Sequence, residues 1–437
     1  MASSSTNSVT STGSMLNKAA QPIQEEKLKV GRLNSLCRSA VLNQLTGLRA
    51  GSLTIHDPIE TVNFVGNEPG PAAVIRIHDF EAYKDIALGG SIGAAEAFMT
   101  QDWSSDNLTD VVRVMSLNMD VLESMEGGLT RLMMPLMRFT HWLNRNTAKG
   151  AQRNIAAHYD LGNDFFELFL DPTMMYSSGI FPAENSSMRE ASENKMRIIC
   201  ERLDLKSTDH VVEIGTGWGS MAMFMASKYG CRVTTTTISK EQYHYAQERI
   251  KERGLESQIT LLLEDYRTLP TMYASNKFDK LVSVEMIEAV GHQYYDEYFA
   301  TIDQLLKPEG LALIQAITIE DHRFKQATRR VDFIQKYIFP GSCIPSISAI
   351  NDSVKNSARL RLIEQQDYAE HYARTLNKWH QKLLKNWSTI NKLGYDETFL
   401  RMWRFYLSYC EGGFAERAIG VSHLLFAKPR NRVKARL

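Results

Sequence analysis

Between residues 210 and 284 short β-branched runs alternate with helical stretches, and the first strand-to-helix junction, Gly215-Thr-Gly217-Trp-Gly219, carries three glycines in five residues. Alternation of this kind leaves few solutions, the commonest being a mostly parallel sheet with helices on both faces. The pattern predicts strands over 210–214, 232–238, 258–264, 280–284 and 310–318, with a last strand over 419–427. Helices are expected over 220–228 and 240–253, and the turn Lys307-Pro-Glu-Gly310 leads into the fifth strand. Charged and aromatic helices between Asp321 and Gly413 form an insertion placed to roof the site. The fold class expected is therefore a doubly wound α/β domain.

Glycines in the first strand-to-helix turn let a ligand approach the backbone, while the new helix presents free N–H groups. The spacing is G-x-G-x-G rather than the G-x-G-x-x-G of a dinucleotide site, and alone it is a weak signal. Its surroundings narrow the choice. Glu213 precedes the glycines and suits the amino-acid end of a methionine moiety. The second strand ends in Thr234-Thr-Thr-Thr237-Ile-Ser-Lys-Glu-Gln242, with no acid at its tip to grip a ribose diol, which counts against NAD. Thr237 and Gln242 would then hold a ribose through neutral hydrogen bonds. The third strand ends in Glu264-Asp265-Tyr266-Arg267, placing an acid and an aromatic ring for an adenine edge and face. S-adenosylmethionine, which has no pyrophosphate, fits these residues better than a dinucleotide.

Upstream, residues 1–24 are rich in Ser, Thr and Asn and read as a disordered tail without the apolar stretch of a signal peptide. Residues 25–118 read as a small α+β accessory domain with β-type runs at 52–55 and 73–77. A linker, 119–153, follows, and the catalytic domain spans 154–437. Within the linker, 127–150 combines Leu129, Leu132, Met133, Phe139 and Trp142 with Arg131, Arg138, Arg145 and Lys149. This basic amphipathic helix, kinked at Pro135, either packs on the core or rests on anionic headgroups.

Lys plus Arg and Asp plus Glu each number 50, so the formal net charge is zero and a nucleic-acid partner is not expected. The five cysteines are widely spaced, without a metal-knuckle pattern, and fit a reducing cytosol; no metal is expected. No stretch approaches the roughly 18 apolar residues of a membrane span.

Several longer segments carry a family resemblance. The run from His158 to Ser178 (HYDLGNDFFELFLDPTMMYSS), Ser283-Val-Glu-Met-Ile-Glu288-Ala-Val-Gly291, Lys336-Tyr-Ile-Phe-Pro-Gly341 and Tyr409-Cys-Glu-Gly-Gly-Phe414 resemble the cyclopropane-fatty-acyl-phospholipid synthases. The resemblance implies a class I, Rossmann-like methyltransferase domain acting on unsaturated phospholipid acyl chains, at the inner face of the membrane and as a homodimer. It implies S-adenosylmethionine contacts at Tyr176, Ser177, Gly215, Gly217, Gly219, Thr237, Gln242, Asp265 and Tyr266. It also implies a bicarbonate ion acting as base, held at Ser178, Glu288, Gln315, Ile317 and Tyr372. Three of these have a plainer reading: Glu288 as a helix cap, Tyr372 as a half-buried aromatic, Gln315 as a core amide. Cys410 is expected to be a packing residue, and His158 and His292 structural.

The chain departs from the family at two positions. Ser178 stands where cysteine is usual, and Gln315 where histidine is usual. A glutamine donates and accepts hydrogen bonds but does not titrate near neutral pH. Alkylation of an alkene leaves a carbocation, and loss of a proton from the new methyl group closes a cyclopropane. A hydride shift before proton loss gives a methylene- or methyl-branched chain instead. Ring formation is the expected product, with branching as the alternative.

Overall fold

In the computed structural model the described residues are 31–121 and 161–432. The tail, most of the linker with its basic helix, and His158 lie outside them. The first region opens with α1 (Arg32–Leu45). Strands β1 (Ala50–His56), β2 (Thr61–Val65) and β3 (Glu68–Ile77) follow, then α2 (Glu81–Met99), the short β4 (Trp103–Ser104) and α3 (Leu108–Leu117). The strands lie in the order β2-β1-β3-β4, with β1 and β3 parallel. The helix α2 is kinked at Gly90, whose φ of 58° is outside the helical range.

The second region starts with α4 (Asn163–Phe169) and α5 (Met188–Arg202), the latter opened by a Ser187–Glu190 capping box. Alternation then proceeds as β5 (His210–Ile214), α6 (Ser220–Tyr229), β6 (Arg232–Thr237), α7 (Lys240–Glu252) and β7 (Ile259–Leu263). It continues through β8 (Phe278–Val284), α8 (Tyr295–Leu305) and β9 (Leu306–Ile319). After α9 (Ile347–Ser357) come β10 (Arg361–Asp367), α10 (Ala369–Lys385), α11 (Glu397–Ala415) and β11 (Ile419–Ala427). The seven strands are ordered β10-β11-β9-β8-β5-β6-β7, with β11 antiparallel to both its neighbours and the rest parallel.

Apolar runs make the central strands: β5 is buried at every residue, as a strand covered on both faces must be. The polar β6 sits in the same interior because its threonines are satisfied. Thr234 bonds the His210 ring, Thr235 donates to Glu213, Thr236 donates to the Glu264 carbonyl, and Thr237 donates to Gln242. The region read as wholly helical, 321–413, contains β10; its alternation of exposed and half-buried residues reflects an edge position rather than a core strand.

One apolar core runs through both regions, joining Leu53, Phe98 and Trp103 to Phe165, Trp379 and Trp403. Phe98 and Phe405 rings lie 5.8 Å apart, Arg113 pairs with Glu416 at 2.6 Å, and Arg401 donates to the Met99 carbonyl at 2.6 Å. At Gly412 the two backbones come so close that a Cβ would stand 2.7 Å from Val112 Cγ1. Among the described residues no helix is long and apolar enough to cross a membrane.

Candidate active site

The strand order reverses direction of growth at β5, and the crevice at its carboxyl end is where such sheets bind ligands. Gly215, Gly217 and Gly219 form the turn there, all with positive φ. Gly217 has open space where a side chain would be, so a ligand can approach its backbone. Behind the turn, Glu213 is 2% exposed and accepts a 2.6 Å hydrogen bond from Thr235. Burial pushes its carboxyl up to about 8. A buried carboxyl ionises readily only when a cation arrives, and the ammonium of an amino-acid ligand supplies one. Thr237 and Gln242 are paired at 3.0 Å and buried beside the turn. Asp265 is held by Arg267 through two contacts of 2.6 and 2.9 Å, and Arg267 also lies 5.6 Å from the centre of the Tyr266 ring. Glu213, Gly215, Gly217, Thr237, Gln242, Asp265 and Tyr266 line one cavity, and their charges and hydrogen-bonding groups suit S-adenosylmethionine.

A loop between α4 and α5 closes the other side. Asp171 anchors it by accepting from the Thr173 N–H and hydroxyl and from Ser192 at 2.9–3.0 Å. Its far end presents Tyr176, Ser177 and Ser178. The Tyr176 hydroxyl meets that of Tyr406 at 3.0 Å, and its ring packs 5.3 Å from Trp379. The Ser177 hydroxyl accepts from Lys195, an ammonium with no surface exposure that burial lowers to about 8.

Directly after β8 stands Glu285, at φ +48°. A side chain in that left-handed region costs roughly 1–2 kcal/mol, so the surroundings hold it there. Its Oε1 accepts from the Ser178 N–H at 2.9 Å and from Gln315 Nε2 at 2.6 Å; its Oε2 accepts from the Tyr372 hydroxyl at 2.6 Å. Gln315 in turn accepts at 2.9 Å from Nε2 of His423, whose charge is suppressed by burial. Glu288 lies beside Glu285, with Oε1 accepting from the Ile317 N–H and Oε2 without a partner. Enclosure first, and then the neighbouring Glu285 carboxylate, raise Glu288 to about 8. Glu285 is also raised by its enclosure, but Lys195 and the donors from Tyr372, Ser178 and Gln315 pull it back. The three donors and Lys195 thus favour the charged form of Glu285 over that of Glu288.

A cavity of about 620 Å³ connects these groups. It runs from the glycine turn past Glu285 and Glu288, between Tyr406, Tyr409 and Phe339, and on into the first region. There its walls are Leu53, Ile55, Ile75, Ile77 and the kinked part of α2. Cys410 lines it as well.

The fifteen residues expected at the site all lie around this cavity or bond directly to a residue that does. Two ionisable side chains hydrogen-bonded into this cluster, Glu285 and Lys195, were not among those expected. Glu285 lies inside the motif Ser283–Gly291, and a carboxylate immediately following a central strand was the available signal. Lys195 was hidden in an ordinary amphipathic helix and carries no sequence signal. The expected bicarbonate ion does not fit alongside Glu285. The N–H of Ser178, the Gln315 amide and the Tyr372 hydroxyl already donate to that carboxylate, and the Ile317 N–H already serves Glu288. A further anion there would face two carboxyl groups, with the Ser178 and Ile317 N–H groups and the Tyr372 hydroxyl already committed to them.

Residues 146–424 match the family model of mycolic acid cyclopropane synthetase. The chain is 36% identical over 372 residues to tuberculostearic acid methyltransferase of Mycobacterium tuberculosis, covering 82% of this chain and 85% of that protein. It is 35% identical over 359 residues to cyclopropane-fatty-acyl-phospholipid synthase of Escherichia coli, covering 82% and 88%. Among solved structures, mycolic acid cyclopropane synthase complexed with S-adenosylhomocysteine and CTAB superposes with a TM-score of 0.58 at 29% identity, over 63% of this chain and 98% of the other. The family model spans more than half of the chain, and the chain belongs to the mycolic acid cyclopropane synthetase family and is an S-adenosylmethionine-dependent methyltransferase.

Proposed function

We propose that the protein methylates the double bond of an unsaturated fatty acyl chain of a membrane phospholipid, closing a cyclopropane ring. The observation that carries this is the cavity: an apolar passage that begins at the glycine turn, passes two carboxyl groups and ends among aliphatic side chains of the first region. An isolated alkene offers no charge or hydrogen-bond group to recognise, so its binding must rest on shape and burial. When bound, S-adenosylmethionine supplies an electrophilic methyl group at a sulfonium centre.

The chain's own residues do the rest. Glu213 and the turn hold the amino-acid end, and Thr237, Gln242, Asp265 and Tyr266 hold the nucleoside. The aromatic walls formed by Tyr406, Tyr409 and Phe339 exclude water, which would otherwise capture a carbocation. Their ring faces stabilise positive charge. Ser178, Gln315 and Tyr372 fix the Glu285 carboxylate, and Ile317 fixes Glu288.

Branching is a second reading, favoured by one observation: the two relatives described differ in product by name, one a tuberculostearic acid methyltransferase and the other a cyclopropane synthase, at nearly equal identity. Mass spectrometry of monounsaturated phospholipid vesicles incubated with the protein and S-adenosylmethionine tests both. A gain of one CH2 with loss of the olefin and a ring signature in fragmentation is expected. A branched chain would favour the second reading, and an unaltered lipid would reject both. We also place the protein on the inner membrane surface as a homodimer, on the strength of the lipid substrate and the basic segment at 127–150. Vesicle co-sedimentation and sedimentation equilibrium check these points; a monomer that ignores vesicles overturns them.

A further inference from the structure

We infer that the Glu285 carboxylate takes the place of an exogenous anion as the base that removes the proton from the alkylated chain. The inference rests on the methyl-transfer reading above and identifies the proton acceptor of that site. Three donors from three elements converge on this one side chain: the Ser178 N–H from the loop after α4, the Gln315 amide from β9 and the Tyr372 hydroxyl from α10. Those are the groups a small planar anion would need, and a carboxylate presents the same O–C–O face. A carboxylate offers about four acceptor positions, three of which are used, so one remains for a proton. Glu285 lines the cavity, and Gly215 lies against Met286, the next residue, so the base sits beside the turn that holds the methyl donor.

Two further features hold it in its charged form and in place. The Lys195 ammonium is buried within electrostatic reach of Glu285, giving the negative charge a counterpart. The backbone at Glu285 occupies the left-handed region, a conformation that persists only where contacts demand it. Gln315 contributes as well. Its carbonyl accepts from His423, which leaves its NH2 no choice but to face Glu285. The glutamine that departs from the family's usual histidine is thus the residue that orients a resident carboxylate.

The chemistry balances. The alkene π pair forms a C–C bond to the methyl carbon, and the C–S bond breaks with its electron pair passing to sulfur. Positive charge moves from the sulfonium to the other alkene carbon. Glu285 then takes a proton from the transferred methyl group, and the C–H pair closes the ring onto the cation. S-adenosylhomocysteine, the cyclopropane and a neutral Glu285 result, and the proton leaves to water when the products are released. A hydride shift before proton loss leaves the role of Glu285 unchanged.

The test combines turnover with ion binding. Glu285→Gln keeps the side chain's size but cannot accept the proton; its turnover on unsaturated vesicles should fall by at least about 100-fold, the scale of a positioned base. Its affinity for S-adenosylhomocysteine should stay within about three-fold. Glu285→Gly relieves the positive φ and opens room for an ion, so it should bind 13C-labelled bicarbonate by NMR and regain turnover as bicarbonate is added. The wild type loaded with S-adenosylhomocysteine should bind none and turn over equally in carbonate-free buffer. Bound bicarbonate in the wild type, bicarbonate-dependent wild-type turnover, or a Glu285→Gln variant retaining more than a tenth of activity would each overturn the assignment. A wild type that alkylates no vesicle lipid would instead reject the methyl-transfer reading. The NMR comparison needs no turnover and separates the two failures.

Discussion

Two carboxyl groups set side by side at the site are unequal, and their hydrogen bonds decide which is charged. Glu285 accepts three, whereas Glu288 accepts one and leaves Oε2 without a partner. The three donors favour the charged form of Glu285, and in the proposed reaction Glu288, raised to about 8, would stand beside it as a neutral wall that keeps water and nucleophiles off the cation. Glu288→Gln, which imitates the protonated acid and keeps the bond from Ile317, should then lose less than about ten-fold in turnover. A loss as deep as that of Glu285→Gln would show that the two share the proton. Glu213 behaves differently because its partner comes with the ligand. At pH 7 its carboxyl, raised to about 8, is mostly protonated, and a ligand ammonium favours the charged form. Binding of S-adenosylhomocysteine should therefore release protons, and affinity should climb from pH 6 to pH 8. Calorimetry in buffers of different ionisation enthalpy reads this directly; identical enthalpies in phosphate and Tris would refute it.

Elements rather than single residues shape the acyl passage. The helix α11 presents Phe405, Tyr406, Tyr409 and Cys410 to one side, while β3 and the kinked α2 close the far end. Ile75 of β3 stands in that far wall and is remote in sequence from every residue of the glycine turn. Replacing it by Trp should shorten the passage, at an overpacking cost of about 1–3 kcal/mol. Turnover on long monounsaturated chains is expected to drop at least ten-fold, more than on shorter ones, with S-adenosylhomocysteine affinity within two-fold. An even loss across chain lengths would place the acyl tail elsewhere.

For the whole molecule, the cost of keeping acids in a dry interior shows in its pH response. Glu213 and Glu288 are raised to about 8 from about 4.3 in an unfolded chain, so the stability they allow is complete at low pH and is lost as pH rises toward 8. The buried His210, His371, His380 and His423 are lowered, chiefly by burial, and act in the opposite sense, but their contribution is complete above about pH 6.5. Lys195, lowered to about 8, returns stability only above that pH. Between pH 6.5 and 8 the ligand-free protein should thus lose thermal stability, and saturating S-adenosylhomocysteine should flatten the slope by neutralising Glu213. Melting curves across that window check the sign; a Tm that rises with pH would reverse it.

The local rules were enough for most of the catalytic sheet, because strand period, glycine turns and caps act over a few residues. The runs at 210–214 and 419–427 coincide with β5 and β11, and the glycine turn lies where the reading put it. The edge strand β10 escaped, since its residues carry no apolar alternation to betray it. Most of the residues expected at the site line the cavity, since motifs name residues one at a time. What the motifs could not convey was which group a donor serves. The N–H of Ser178, the Gln315 amide and the Tyr372 hydroxyl come from positions 178, 315 and 372, and only folding shows that all three converge on Glu285. Hydrogen bonding and burial depend on distances between segments remote in sequence, so the donors gathered on Glu285 and the reach of the cavity into the first region belong to the tertiary structure alone.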